Sequence, residues 1–257
     1  MVNCLKTQLK GAVSSDLLKY GEIRTNVNTD AQRHVLVTNA KVYVDGVDSG
    51  TQVTLAAGQY EISVFDKYDI TEINANIPFD LQNFNYATEL EVIRSTYDNI
   101  YVMPVTGDIA YLSKCSALNQ LEISGPSGDL ESLANLNIQK ITMASATNCY
   151  GSFAVAFGNH TNLQSCTIIC PSMNGTLQDF VKKQILKGRE SPSEYISLGR
   201  LNQTQVTWNG SGTPPQYTVL RWSKTGTNTY DVVVAERDAP QTAVFSGTYN
   251  KSNDSWT

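Results

Sequence analysis

Gly128-Asp129-Leu130-Glu131-Ser132-Leu133, followed after four residues by Ile138-Gln139-Lys140-Ile141-Thr142-Met143, is the stretch that decides the fold. Its first half is a helix start. Glycine permits a tight backbone reversal, the aspartate after it caps the free N–H groups, and apolar side chains at i and i+3 face a core. The same half recurs as Gly107-Asp108-Ile109, Gly151-Ser152-Phe153 and Gly175-Thr176-Leu177, at spacings of 21, 23 and 24 residues. Leu112, Ala156 and Phe180 take the place of Leu133 in those copies. The second half reads apolar, two polar, apolar, one polar, apolar. It recurs as Leu118, Leu121, Ile123 and as Leu163, Cys166, Ile168, with a later copy at Leu201, Thr204, Val206 and a weaker forerunner at Ala87, Leu90, Val92. Because its last two apolar positions alternate with polar ones, each copy is expected to be a short strand with one buried face. One unit is therefore a helical turn plus a strand, repeated at a period that marks a stacked array.

The Leu118-x-x-Leu121-x-Ile123 segment at this period resembles the leucine-rich repeat, over roughly residues 81 to 213. Cys166 and Thr204 depart from the leucines of that pattern, and the period is uneven. An ordinary α+β domain with coincidental spacing is the alternative. The resemblance implies a right-handed solenoid of about five coils. A helical insertion near 176–188, carrying Leu177, Phe180, Val181 and Ile185 and stopping at Gly188, would cover its end. In leucine-rich repeats the polar positions beside the buried strand residues point outward on one concave surface. By that alignment one column is Gln120, Lys140, Ser165 and Gln203, the next is Glu91, Glu122, Thr142, Thr167 and Gln205, and Ser124 begins a third. Such a hydrogen-bonding surface with little charge suits a protein or glycan ligand. A solvated sheet face, with Thr chosen for its strand propensity, would look the same.

The flanks have other compositions, and the expected division is a segment at 1–32, a small module at 33–80, the array at 81–213 and a tail at 214–257. In the module Val35 and Val37, Val42 and Val44, Val53 and Leu55, and Ile62 and Val64 alternate with polar residues, and Asp45-Gly46 is a strong hairpin signal. Lys41–Gly46 followed by Leu55–Ile62 looks like PEGA-type small β-sandwich modules, which are non-catalytic. After Pro214-Pro215, strands are expected at Tyr217 to Trp222, Thr229 to Ala235 and Thr242 to Tyr249, a three-stranded meander too small to bury much by itself. Its Trp222, Tyr230, Phe245, Tyr249 and Trp256 should pack on the last coil or form an oligomer or sugar contact. The opening Asn3–Gly11 is similar to the starts of uncharacterised bacterial and prophage-borne proteins, some near tail-structural genes. The whole is thus expected to be mostly β with some α.

Composition mainly excludes. The net charge of -5 and the absence of a Lys/Arg run argue against nucleic acid, whose affinity rests on phosphate neutralisation. No apolar run is long enough for a membrane helix. Met1 to Tyr20 holds no apolar h-region, so synthesis in the cytoplasm is expected, with a virion or surface assembly as a later home. His34 and His160 are the only histidines, and the five cysteines contain no CxxC pair, which reads as reduced buried thiols. Cys149 and His160, the one nucleophile and base pair on offer, fall at opposite edges of a coil. The acidic pairs Glu89 with Glu91 and Asp129 with Glu131 would lie on a surface, not across a cleft. No metal and no cofactor is expected; Asp45 and Asp48 read as turn residues. The function expected is non-enzymatic recognition or scaffolding. The alternatives are a structural subunit, possible as a homo-oligomer, of a phage-derived or surface assembly, and a polysaccharide-processing enzyme.

Overall fold

The computed structural model describes residues 22–30, 34–65, 67, 69–95 and 102–257. The Asn3–Gly11 resemblance, the leader reading of Met1 to Tyr20 and Cys4 lie outside the described residues. The chain is mostly β with few helices. Among the described residues a single 14-stranded sheet runs from near the first described strand to the last. Its middle is parallel, and Glu72–Ala75, Val92–Arg94, Gln120–Ser124, Lys140–Ala144, Ser165–Ile168 and Ile196–Gly199 lie side by side in chain order. Parallel neighbours need a crossover, and helical segments supply it. These are 3-10 turns at Leu81–Phe84, Ile109–Lys114 and Leu130–Leu133, then α-helices at Phe153–Phe157 and Leu177–Leu186. Inside the stack Ile73, Ile93, Leu121, Ile141, Cys166 and Leu198 form one buried column at a single register.

The helix starts follow the capping chemistry. Asp108, Asp129, Ser152 and Thr176 each accept a hydrogen bond from the first turn, the Asp108 carboxylate from the Ala110 N–H at 2.8 Å and Thr176 Oγ1 from the Asp179 N–H at 3.0 Å. Asp80 does the same for Leu81–Phe84 from a Phe79-Asp80-Leu81 start that lacks the glycine. The glycines before the other caps have a second duty, since each lies against the cap of the preceding unit. A Cβ on Gly107 would come within 2.7 Å of Asp80 Oδ1, on Gly128 within 2.2 Å of Asp108 Oδ1, and on Gly151 within 2.8 Å of Asp129 Oδ1. A second, shorter parallel sheet forms on this side from Ser127–Asp129, Asn148–Ser152, Ser172–Thr176 and Gln205–Thr207.

Two copies of the strand pattern are placed differently from the sequence reading. Leu201–Gln203 is a 3-10 turn and Gln205–Thr207 joins the short sheet beside Asn174–Thr176, so the strand that follows Ser165–Ile168 in the long sheet is Ile196–Gly199. The Leu201, Thr204, Val206 spacing imitates the motif, whereas Ile196-Ser197-Leu198 supplies the inward alternation that pairs. At the other end the copy is slipped by three residues. Ile93, not Leu90, is opposite Leu121, because Leu90 fills the place of Leu118 at the turn.

Both ends of the long sheet are antiparallel. Tyr217–Lys224, Thr229–Glu236 and Ala239–Asn250 extend it from Ile196–Gly199, with Ser255–Trp256 on the outer edge. Trp222, Tyr230 and Tyr249 are buried, and Phe245 and Trp256 are half-buried around Trp208. At the start, His34–Thr38 and Gln52–Leu55 continue the sheet from Glu72–Ala75, while Lys41–Val44, Val47–Asp48 and Gly58–Phe65 form a separate four-stranded sheet. Its fourth strand is Glu22–Thr29, inside the segment expected at 1–32, with Ile23 and Val27 buried. The module at 33–80 therefore shares one of its two layers with the array. The Asp45-Gly46 turn takes φ of 49° and 80°, the doubly positive pair of a type I′ hairpin.

Gln184 ties the last helix to the one before it. Fully buried, its Nε2 group lies 3.3, 3.1 and 3.2 Å from the carbonyls of Phe157, Gly158 and His160, the loose end of helix Phe153–Phe157, and its Oε1 accepts from Arg189 Nη1 at 3.0 Å. Gln184→Leu keeps the volume and strands those carbonyls, so urea unfolding should lose about 2 kcal/mol with an unchanged m-value. A loss near zero would mean that water replaces the amide.

Candidate recognition face

The outward side of the parallel strands is built by register. Glu72, Val92, Gln120, Lys140, Ser165 and Ser197 are consecutive partners in one column. The neighbouring column holds Asn74 and Arg94, which pair with each other, then Glu122, Thr142, Thr167 and Gly199, with Tyr217 following across the antiparallel junction. Ser124 opposes Ala144 beyond it. Seven of the ten residues aligned from the sequence are thus brought together: Gln120, Glu122, Ser124, Lys140, Thr142, Ser165 and Thr167.

Three are not. Glu91 corresponds to Asn119, in the turn before the strand, where its carbonyl accepts from the N–H groups of Asn119 and Gln120 at 2.9 and 3.0 Å. Gln203 and Gln205 belong to the 3-10 turn and the short sheet, away from this face. The slip that misplaced Glu91 also hid Arg94, and the imitation at Leu201 hid Ser197 and Gly199. Glu72 and Asn74 had a visible signal, the Glu72-Ile73-Asn74-Ala75 alternation one coil earlier.

The charges on the face are spent on one another. Arg94 donates through Nη2 to Glu72 Oε1 at 2.8 Å and through Nε to Asn74 Oδ1 at 2.5 Å, while Asn74 donates to the same Glu72 oxygen. Glu122 is almost buried and receives Lys140 Nζ at 2.6 Å and Gln120 Nε2 at 2.7 Å, both on the same oxygen. Each carboxylate is matched by a cation on the next strand, so this half is neutral and, apart from Val92, polar. Beyond Thr142 the columns carry only hydroxyls and Gly199 until Tyr217, over which Arg237 lies with its guanidinium 4.5 Å from the ring centre. Gly199 makes room for Thr167, whose Oγ1 would be 2.5 Å from a Cβ there. The arrangement can offer many hydrogen bonds to a broad surface. The Arg94–Glu72 pair, exposed on both sides, contributes little to stability, about 0–1 kcal/mol.

Most of the groups weighed for chemistry are held by other contacts. Cys149 donates to the Pro126 carbonyl at 3.4 Å, and burial pushes its thiol up to about 12. His160 uses Nε2 on the Leu133 carbonyl at 3.0 Å, and burial pushes its imidazole down to about 4. Asp129 caps its turn, and Glu131 Oε1 accepts from the Ser152 N–H at 2.9 Å. Asp45 and Asp48 accept from the N–H groups of Glu61 and Gly50. Cys115, Cys149, Cys166 and Cys170 are free and buried. Among the described residues no helix is long and apolar enough to cross a membrane.

No protein family and no curated protein matches the chain. Among solved structures it is similar to the LRR ectodomain of the receptor kinase SOBIR1 from Arabidopsis thaliana, at 12% identity and a TM-score of 0.33, covering 68% of this chain and 83% of that one.

Proposed function

We propose that the chain is a non-enzymatic recognition or scaffolding protein of leucine-rich-repeat-like solenoid build, which takes a macromolecular partner, a protein or a glycan chain, on the outward face of its parallel strands. The observation that carries this reading is the face itself. Six parallel strands at about 4.8 Å spacing give a continuous polar surface roughly 24 Å across, too open to enclose a small substrate. Its charges are already paired, so a partner meets hydroxyls, amides and balanced ion pairs, and specificity comes from the pattern of hydrogen bonds. Catalysis between two carboxylates would need them to face each other across a pocket. The carboxylates here instead each answer a cation.

Thr142→Arg combined with Thr167→Arg places two bulky cations in the centre of the face without touching the core. Proteins and uncharged glycans captured by the wild-type chain should be lost, or bound at least tenfold more weakly, by this variant at unchanged Tm. An identical set of partners at equal affinity would move the binding surface elsewhere.

A further inference from the structure

A groove of about 480 Å³ opens beside the face, at the edge where the parallel strands begin. Asn119, Gln139 and Gln164 hold equivalent places in three successive turns there. The carbonyls of Asn119 and Gln139 each accept from two N–H groups of the next turn, and that of Gln164 accepts from Ser197, which sets the three side chains at strand spacing, about 4.8 Å apart. Their amides, and that of Asn162 beside them, have no protein hydrogen-bond partner among the described residues. The far wall is Arg189 with Ser191 and Ser193. Among the described residues no carboxylate and no apolar side chain lines the groove.

Arg189 is the unusual member. Its guanidinium is fixed from behind: Nη1 donates to the Leu163 carbonyl and to Gln184 Oε1, both at 3.0 Å, and the Trp222 ring lies 5.5 Å from it. Trp222 Nε1 in turn donates to the Arg189 carbonyl at 3.0 Å. All these partners are neutral. The acid next in sequence, Glu190, is bound to Lys224 instead. A half-buried, immobile cation with no counter-ion and with Nε and Nη2 unspent among the described residues is costly to keep and suited to a planar anion. Burial draws it down only to about 10, so it is charged at neutral pH.

We propose that this groove binds a saccharide chain bearing carboxylates, with the Arg189 fork on a carboxylate and the amide row on ring hydroxyls. A polyol needs partners that both donate and accept, and the Asn, Gln and Ser side chains do both. A peptide would bring side chains for which this lining has no apolar place. The strand-spaced amides repeat at a length comparable to one pyranose ring. The site is separate from the sheet face and does not depend on the role proposed for it.

Calorimetric titration of the full chain with an oligogalacturonate, its methyl ester, poly-glutamate and inorganic sulfate tests the proposal. The oligogalacturonate should bind at least tenfold more tightly than the other three. Gln164→Glu gives Arg189 an internal counter-ion on an exposed side chain and should cut that affinity at least tenfold at unchanged Tm, whereas Thr142→Arg with Thr167→Arg should leave it intact. Equal binding of the ester removes the carboxylate from recognition and overturns the proposal. Tighter binding of poly-glutamate overturns the saccharide class, tighter binding of sulfate reduces the site to an anion hole, and no binding of the oligogalacturonate overturns it outright.

Discussion

Gly128→Ala should cost the protein about 3 kcal/mol, although it adds one methyl group to a half-buried position. Two effects combine. Gly128 has φ of 100°, where an L side chain is strained, and its Cβ would lie 2.2 Å from Asp108 Oδ1. That oxygen is the one that accepts from the Ala110 N–H, so the methyl displaces the cap of the preceding unit. Gly210 separates the two effects, because it has φ of 101° and open space around it. Gly210→Ala should cost only about 1 kcal/mol, the backbone share. In an Asp108→Ala background, where the cap is already gone, Gly128→Ala should also fall to about that value. Urea midpoints of the four variants decide it. Equal costs for the two glycines would mean that the column of glycines serves turns alone and not the stacking of units.

Acid should destabilise the protein through His160 before most carboxylates titrate. The imidazole is fully buried beside Phe157, with Nε2 donating to the Leu133 carbonyl and Nδ1 without a partner among the described residues. Burial holds its pKa near 4, against an ordinary 6.5. Between those values the unfolded chain binds a proton that the folded chain refuses, so stability falls as pH falls. It is at full strength above pH 6.5 and, by pH 4, about 3 kcal/mol has gone. His160→Gln keeps a donor for the Leu133 carbonyl and removes the titration. The stability difference between wild type and variant, measured by urea unfolding across this range, should change by about 3 kcal/mol in the variant's favour on acidification. A difference independent of pH would show that His160 titrates alike in both states.

What the sequence revealed was what residues do to their near neighbours. The Gly-Asp, Gly-Ser and Gly-Thr starts were legible because capping and backbone reversal act within a few positions, and Asp45-Gly46 for the same reason. The inward columns at Leu121, Ile141 and Cys166 were legible because alternation is local. Register at the ends was not, because Leu90 and Leu201 satisfy the same spacing as a true strand and only pairing across the sheet tells them apart. Nor does alternation in Glu22–Thr29 or His34–Thr38 say which neighbour each strand will choose. The face was found in outline, since its residues flank buried ones in sequence. The groove was not, because Arg189 reaches it from beyond a helix, and an Asn or Gln in a turn reads as solvent-facing filler until three of them line up.

The antiparallel strands at both ends of the long sheet have one more consequence. Each end cap joins the array at its terminal unit, the C-terminal one also through Trp222, Lys224 and Asp254 on Arg189, Glu190 and Lys182, and the units between the two ends are parallel strands of ordinary alternation. Units could be gained or lost between them by duplication or deletion, each adding or removing about 4.8 Å of face. The molecule is built as a gauge with fixed jaws and an adjustable span, so a version with one unit more or fewer would differ in reach while keeping the same two ends.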